Sequence, residues 1–210
     1  MINVQPSPSF LEELASPRPD PGGGSAAAYS ALVALALAEK VGRLELGRAH
    51  ADDSGGSFWK QQLLAIHGLQ EIFARLRHQD ILVYAKVADA LRHQTIGEQR
   101  RIAILEAIEC PRQIMNSVIT AMATVLAIGE HCRLHLVADV MVAVELLGGA
   151  LQGACHIAMA NVPWLEGPSE QQELLEQLTR ENRAGVEQLS RVRADLEIRL
   201  VERRSEASVP

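Results

Sequence analysis

Two carboxylates stand where carboxylates are expensive. Asp80 falls on an apolar stripe that reads Leu69, Phe73, Leu76, Asp80, Val83, Val87 and Leu91, spaced by threes and fours as one face of a helix. A charge on a buried face costs several kcal/mol, to order of magnitude, unless it is paired or hydrogen-bonded. Asp80 is therefore either a structural partner for a neighbouring helix's arginine or backbone amides, or a group facing a solvated site with a shifted pKa. Asp139 poses the same problem near the start of the apolar run from Leu136 to Met159, although a carboxylate there is also favoured by the helix dipole. Pro21-Gly22-Gly23-Gly24-Ser25 precedes a run of alanines. Three glycines weaken any regular element, so they are read as a turn free of side chains, after which Ser25 caps a helix. Amides at a helix start can hold a carboxylate, a phosphate or a polarised ligand edge. No Lys-Ser/Thr pair follows and no strand pattern precedes, so neither a P-loop nor a dinucleotide fold is indicated. Lys40, in a group with Arg43, Glu45 and Arg48, is either a functional cation or a snorkelling side chain at a helix end.

The elements that must position these groups are all helical. A short helix Phe10–Leu14 follows an irregular arm, 1–8. Pro17, Pro19 and Pro21 force an extended lead-in to the glycines. Further helices are expected at about Ala26–Gly47, Ser57–His93, Gln99–Glu109, Arg112–Gly129 and Leu136–Met159, with a kink or restart at Cys110-Pro111 because proline lacks an N–H. Ser169 and Gln172 read as a capping box opening a long helix, 169–204, that packs on one side only. The 210 residues form one expected domain, 1–210, since nothing in the middle reads as a linker. Aromatics make up only 3% of the chain, so the core must be aliphatic, which suits closely spaced helices.

The net charge of −6 argues against a general nucleic-acid binder. Cys110, Cys132 and Cys155 are an odd set with no close spacing, so neither disulfides nor a zinc site is expected. His131, Cys132, Arg133 and His135 cluster but match no standard ligand set. The apolar runs 114–128 and 134–165 are too short or too interrupted by charge, glycine and proline to read as membrane spans. With no signal-peptide pattern at the N-terminus, a cytoplasmic protein is expected.

Taken in order, Phe10-Leu11-Glu12-Glu13-Leu14-Ala15-Ser16 and Pro21-Gly22-Gly23-Gly24-Ser25-Ala26-Ala27 resemble the signature of the cyclodeaminase/methenyl-tetrahydrofolate cyclohydrolase family. Asp80 with Tyr84, Pro111, Asp139, and Gly153-Ala154 with Asn161 continue the resemblance over about residues 9–163. It implies an all-α bundle of long antiparallel helices assembled as a homodimer, acting without metal or redox cofactor on the one-carbon bridge of a tetrahydrofolate derivative. Asp80 and Asp139 would be its carboxylates, with Gly22, Gly23, Gly24, Ser25, Lys40, Arg43 and Asn161 around the ligand. The chain departs from the family pattern where Cys132-Arg133-Leu134-His135-Leu136-Val137-Ala138-Asp139 replaces Gly-Asn-x-Asn-x-x-Ser-Asp, and where Ile157 stands for a common asparagine. Those changes raise an alternative: a divergent member with lost or changed chemistry, a ligand-binding or regulatory dimer whose pocket Lys40, Arg43, Arg48 and Arg133 make cationic, for an anionic ligand.

Overall fold

A computed structural model describes residues 8–49, 54–93 and 97–206; the arm before residue 8, and most of the polar break after Ala49, lie outside them. Six α-helices run Pro8–Leu14 (α1), Gly23–Leu46 (α2), Ser54–Arg92 (α3), Glu98–His131 (α4), Val137–Asn161 (α5) and Pro168–Glu206 (α6). Single 3-10 turns at Leu134–Leu136 and Val162–Trp164 flank α5. Among the described residues there is no strand. Helices α2 to α5 form an up-down bundle in which each neighbouring pair is antiparallel. The register is visible in the side-chain contacts. Ser25 of α2 meets Asp80 of α3, Cys110 of α4 meets the Leu76 carbonyl, and Asn161 of α5 meets Ala107 of α4. Lys40 near the end of α2 meets Asp139 near the start of α5, closing the ring.

Alanine is what lets α2 sit inside this ring. Ala28, Ala31, Ala34 and Ala38 are fully buried along with Leu35 and Val41, and side chains that short allow close approach on more than one side. Helix α6 lies over α4 and α5, antiparallel to α5 and parallel to α4. Arg112 donates to Glu181, Gln188 to the Ile119 carbonyl, and Arg193 pairs with Glu145. Its buried residues Leu178, Leu189, Val192 and Leu196 fall on one stripe, the one-sided packing that its pattern predicts.

By length and composition the stretches 23–46, 98–131 and 134–164 would suffice to cross a membrane; 56%, 44% and 50% of their most apolar windows are buried within this chain. About half of each window thus serves the bundle interior.

Three expectations are corrected. The glycines do not form a turn outside the helix: Gly22 is the N-cap of α2, and Gly23, Gly24 and Ser25 make its first turn, so Ser25 caps nothing with its side chain. Helix α4 does not restart at Pro111, which is buried inside one continuous helix. A proline at 111 leaves the Ala107 carbonyl without its i+4 amide, and the Asn161 side-chain amide donates to that carbonyl at 2.8 Å. A neighbouring helix thereby supplies the missing donor. Helix α6 begins at Pro168 rather than after Ser169, with the Gln171 amide donating to the Gly167 carbonyl; proline in the first turn forfeits no bond.

Candidate functional site

The N-terminus of α2 is capped from another helix. Asp80 of α3 places Oδ2 2.8 Å from the Ser25 amide and 3.0 Å from the Ser25 hydroxyl. An anion there meets unpaired N–H groups and the positive end of the helix dipole, which is the structural half of the account of a carboxylate on an apolar stripe. The approach is close because Gly24 has no side chain: a Cβ built on Gly24 would lie 2.0 Å from Asp80 Oδ1. The other half concerns Oδ1, which has no hydrogen-bond partner among the described residues. Burial pushes the Asp80 pKa above the ordinary carboxylate value, and the two bonds from Ser25 oppose that rise.

Asp80 lines a cavity of about 480 Å³ between the lead-in to α2 and helices α3, α4 and α5. Gly22, Gly23, Gly24 and Asp20 form one wall, and Asp80, Val83, Tyr84, Val87 and Leu91 the α3 wall. Ala107, Ile157, Asn161 and Trp164 complete it. The side chain of Ile157 fills the space over Gly23, where a Cβ would come within 2.8 Å of its Cδ1. Tyr84 and Trp164 are 46% and 47% exposed, so two aromatic rings stand at the mouth, available to a planar ligand. Asn161 is held by the Ala107 carbonyl. Among the described residues the lining carries two acids, Asp20 and Asp80, and no lysine, arginine or histidine. It is a site for a cationic or hydrogen-bond-donating ligand edge. A hollow of about 550 Å³ on α6 is lined, among the described residues, by side chains of that one helix between Pro168 and Arg180.

Of the expected site residues, Gly22, Gly23, Gly24, Ser25, Asp80 and Asn161 come together here, five around the cavity and Ser25 directly behind Asp80. Asp139 and Lys40 do not. They form a 2.8 Å ion pair with side chains 38% and 59% exposed. Lys40 lies fifteen residues beyond Ser25 on α2, about 22 Å along its axis at 1.5 Å per residue. Arg43 pairs with Glu39 one turn away on α2, Arg48 with Glu45, and Arg133 approaches Glu45 at 3.8 Å. The expected cationic pocket is therefore absent from the cavity, because these charges answer acids at the opposite end of the bundle. In the polar cluster His131 stacks on Phe58 and Cys132 is buried, its thiol against the Gly129 carbonyl. Among the described residues no three His, Cys, Asp or Glu side chains gather as a metal set would.

Asp20, Tyr84 and Trp164 were not among the expected site residues. Tyr84 is one helical turn from Asp80, a spacing that does signal a shared face. Asp20 sits in the proline-rich lead-in and Trp164 in a single 3-10 turn, both too short for periodicity to point to a site.

No curated protein matches the chain in sequence. The solved structure of formiminotetrahydrofolate cyclodeaminase from Thermotoga maritima is similar in fold, with a TM-score of 0.81 at 20% identity, over 92% of this chain and 96% of that one. The sequence profile of formiminotransferase-cyclodeaminase matches residues 6–180, and on that match the chain belongs to the formiminotransferase-cyclodeaminase family.

Proposed function

We propose that the protein is a folate one-carbon enzyme, a methenyl-tetrahydrofolate cyclohydrolase or formimino-tetrahydrofolate cyclodeaminase, in which Asp80 is the acid–base group. The observation that carries this reading is Oδ1 of Asp80, without a hydrogen-bond partner among the described residues and held in a cavity whose described lining includes a second carboxylate and no lysine, arginine or histidine. The reacting carbon in both reactions lies between nitrogens and bears a delocalised positive charge. An acidic wall stabilises that charge, and glycine backbone lets the ligand approach closely. Family membership and the fold support the same class.

One carboxylate serves either chemistry. In the cyclohydrolase direction a water oxygen bonds to the methenyl carbon and its proton passes to Oδ1. Collapse of the adduct breaks one C–N bond as the hydroxyl proton passes to the departing nitrogen, and Asp80 returns its proton to solvent. In the cyclodeaminase direction N10 attacks the formimino carbon and Asp80 takes the N10 proton. It then gives that proton to the amino group, which leaves as ammonia. A base with a raised pKa suits both steps, since it must accept and release a proton near neutrality. Both routes draw on side chains and water alone.

The half-exposed apolar faces of α2 and α5 support a homodimer. Val142 is 51% and Leu44 38% exposed, on helices whose apolar windows are about half covered within one chain. We place the enzyme in the cytoplasm, in keeping with three buried free thiols.

The purified protein is expected to accelerate the loss of methenyl-tetrahydrofolate absorbance, or to release ammonia from the formimino form. Asp80→Asn should slow that reaction by about 100-fold or more. No acceleration of either reaction at high protein concentration overturns the reading. Size-exclusion chromatography with light scattering tests the dimer separately.

A further inference from the structure

The Ser25 hydroxyl faces two acceptors and has one proton to give. Its Oγ lies 3.0 Å from Asp80 Oδ2 and 3.0 Å from the Arg77 main-chain carbonyl. Ser25 is completely buried, so no water competes for that proton. The Ser25 amide, 2.8 Å from the same carboxylate oxygen, cannot turn away. Both donors of Ser25 thus converge on Oδ2, and the remaining oxygen, Oδ1, stands against Gly24 at the cavity wall.

We propose that Ser25 is a positioning residue for Asp80: it fixes Oδ2, presents Oδ1 to the ligand, and follows the proton by swinging its hydroxyl between carboxylate and carbonyl. When Asp80 is ionised the hydroxyl donates to Oδ2. When Oδ1 takes a proton, the charge that held the hydroxyl is gone and it donates to the Arg77 carbonyl instead. Neither state leaves the hydroxyl proton without an acceptor, so the site moves between its two protonation states without reorganising backbone. The Arg77 carbonyl is less than one turn from Asp80 on α3, so carboxylate, alternative acceptor and donor keep fixed distances.

Other titratable groups stand near Asp80, among them Tyr84 one turn along α3. From α4 the Cys110 thiol faces it, but burial first, and then the Asp80 charge itself, push that thiol up to about 12, leaving it neutral. From the α2 lead-in Asp20 shares the cavity, and from α5 come, among the described residues, the uncharged Ile157 and Asn161. The Arg77 guanidinium lies over the Phe10 and Tyr29 rings.

This assignment rests on Asp80 being the acid–base group, and its test does not require turnover. Carbon-13 NMR of the side-chain carboxyls, followed against pH, reads the Asp80 midpoint in the parent protein and in Ser25→Ala. The variant keeps the amide bond and loses the hydroxyl, and its midpoint should rise by about one pH unit, a tenfold gain in proton affinity. Ser25→Cys, near in size and a weak donor, should shift in the same direction by less, and serves if the alanine variant does not fold. In the parent, the Ser25 amide proton resonance should titrate with the Asp80 midpoint. Where turnover is measurable, the acid limb of its pH profile moves with the NMR value while KM changes less than threefold. An unchanged Asp80 midpoint in both variants, or a Ser25 amide that ignores it, overturns the proposal. A shifted midpoint in a protein without folate turnover upholds it and rejects the folate reading instead.

Discussion

Substituting Gly24 by alanine tests whether the contact between the α2 N-terminus and Asp80 matters as a site or only as a joint. The new Cβ would lie 2.0 Å from Oδ1 and 2.6 Å from Cγ, where ordinary contact begins at 3.4 Å. The carboxylate must therefore retreat by more than an ångström, and its bonds at 2.8 and 3.0 Å to Ser25 cannot both survive. Each hydrogen bond to a charged group contributes about 1.5–3 kcal/mol, against which alanine's better helix propensity returns about 1 kcal/mol. With one bond lost the net loss of stability is thus modest, about 0.5–2 kcal/mol, and visible as a lower Tm. Catalysis is more sensitive, since misplacing a reacting group by an ångström costs on the order of 100-fold. Two controls surround it. At Gly22 a Cβ meets only the Pro19 carbonyl at 3.7 Å, and at Gly23 it meets the movable end of Ile157. Turnover of methenyl-tetrahydrofolate should fall most steeply in Gly24→Ala, less in Gly23→Ala and least in Gly22→Ala. A Gly24→Ala enzyme within threefold of the parent, or a different order along the series, would refute the placement of Asp80 as the reacting group.

The remaining predictions use other readouts. Trp59 is 6% exposed and Trp164 47%, so a folate entering the cavity should quench the Trp164 emission; Trp164→Phe should abolish that change and leave a ligand-insensitive Trp59 signal. Asp139→Asn and Lys40→Ala break an exposed ion pair of a kind that contributes about 0–1 kcal/mol, and should leave turnover within threefold. Because burial raises the Asp80 pKa in the folded chain, its contribution to stability is fully present below the unfolded carboxylate value and is lost as pH rises through the folded one. Asp80→Asn should remove that part of the decline in a series of chemical denaturations across pH. Glu181 has the opposite sign: its bond from Arg112 lowers its pKa, so its contribution is lost as pH falls through the folded value. Glu181→Gln should lower stability at neutral pH by about 1–2 kcal/mol and matter less in acid.

The fold was legible because hydrophobic period and composition agree over long stretches. The stripe from Leu69 to Leu91 and the alanines of α2 leave little choice but a helical bundle. Asp80 could be singled out for the same reason: it interrupts a pattern that is otherwise unbroken. Its partner could not, because the bond to Ser25 spans 55 residues and periodicity carries no information across helices. The glycines misled for a local reason. Glycine disfavours a helix interior, yet in the first turn the amides need no intrahelical acceptor, and Gly23 and Gly24 sit there to admit Ile157 and Asp80. Asp139 broke an apolar pattern just as Asp80 does, but near the start of α5 it reaches solvent and Lys40. Pattern alone does not separate a carboxylate at a cavity from one at a rim. Arg43, likewise, pairs with Glu39 one turn away on α2, far from the cavity.

The bond between Asn161 and the Ala107 carbonyl links residues that neither sequence distance nor chemistry would pair. Asn161 has this acceptor to itself because residue 111 is a proline. Replacing Pro111 by an ordinary helix former would give α4 back its own amide at that carbonyl and put the Asn161 side chain into competition for it. Gains in helix strength would come at the expense of order in the cavity wall. Substitutions at Pro111 and at Asn161 thus act on a single backbone oxygen, and their effects on stability and on ligand grip should couple rather than add.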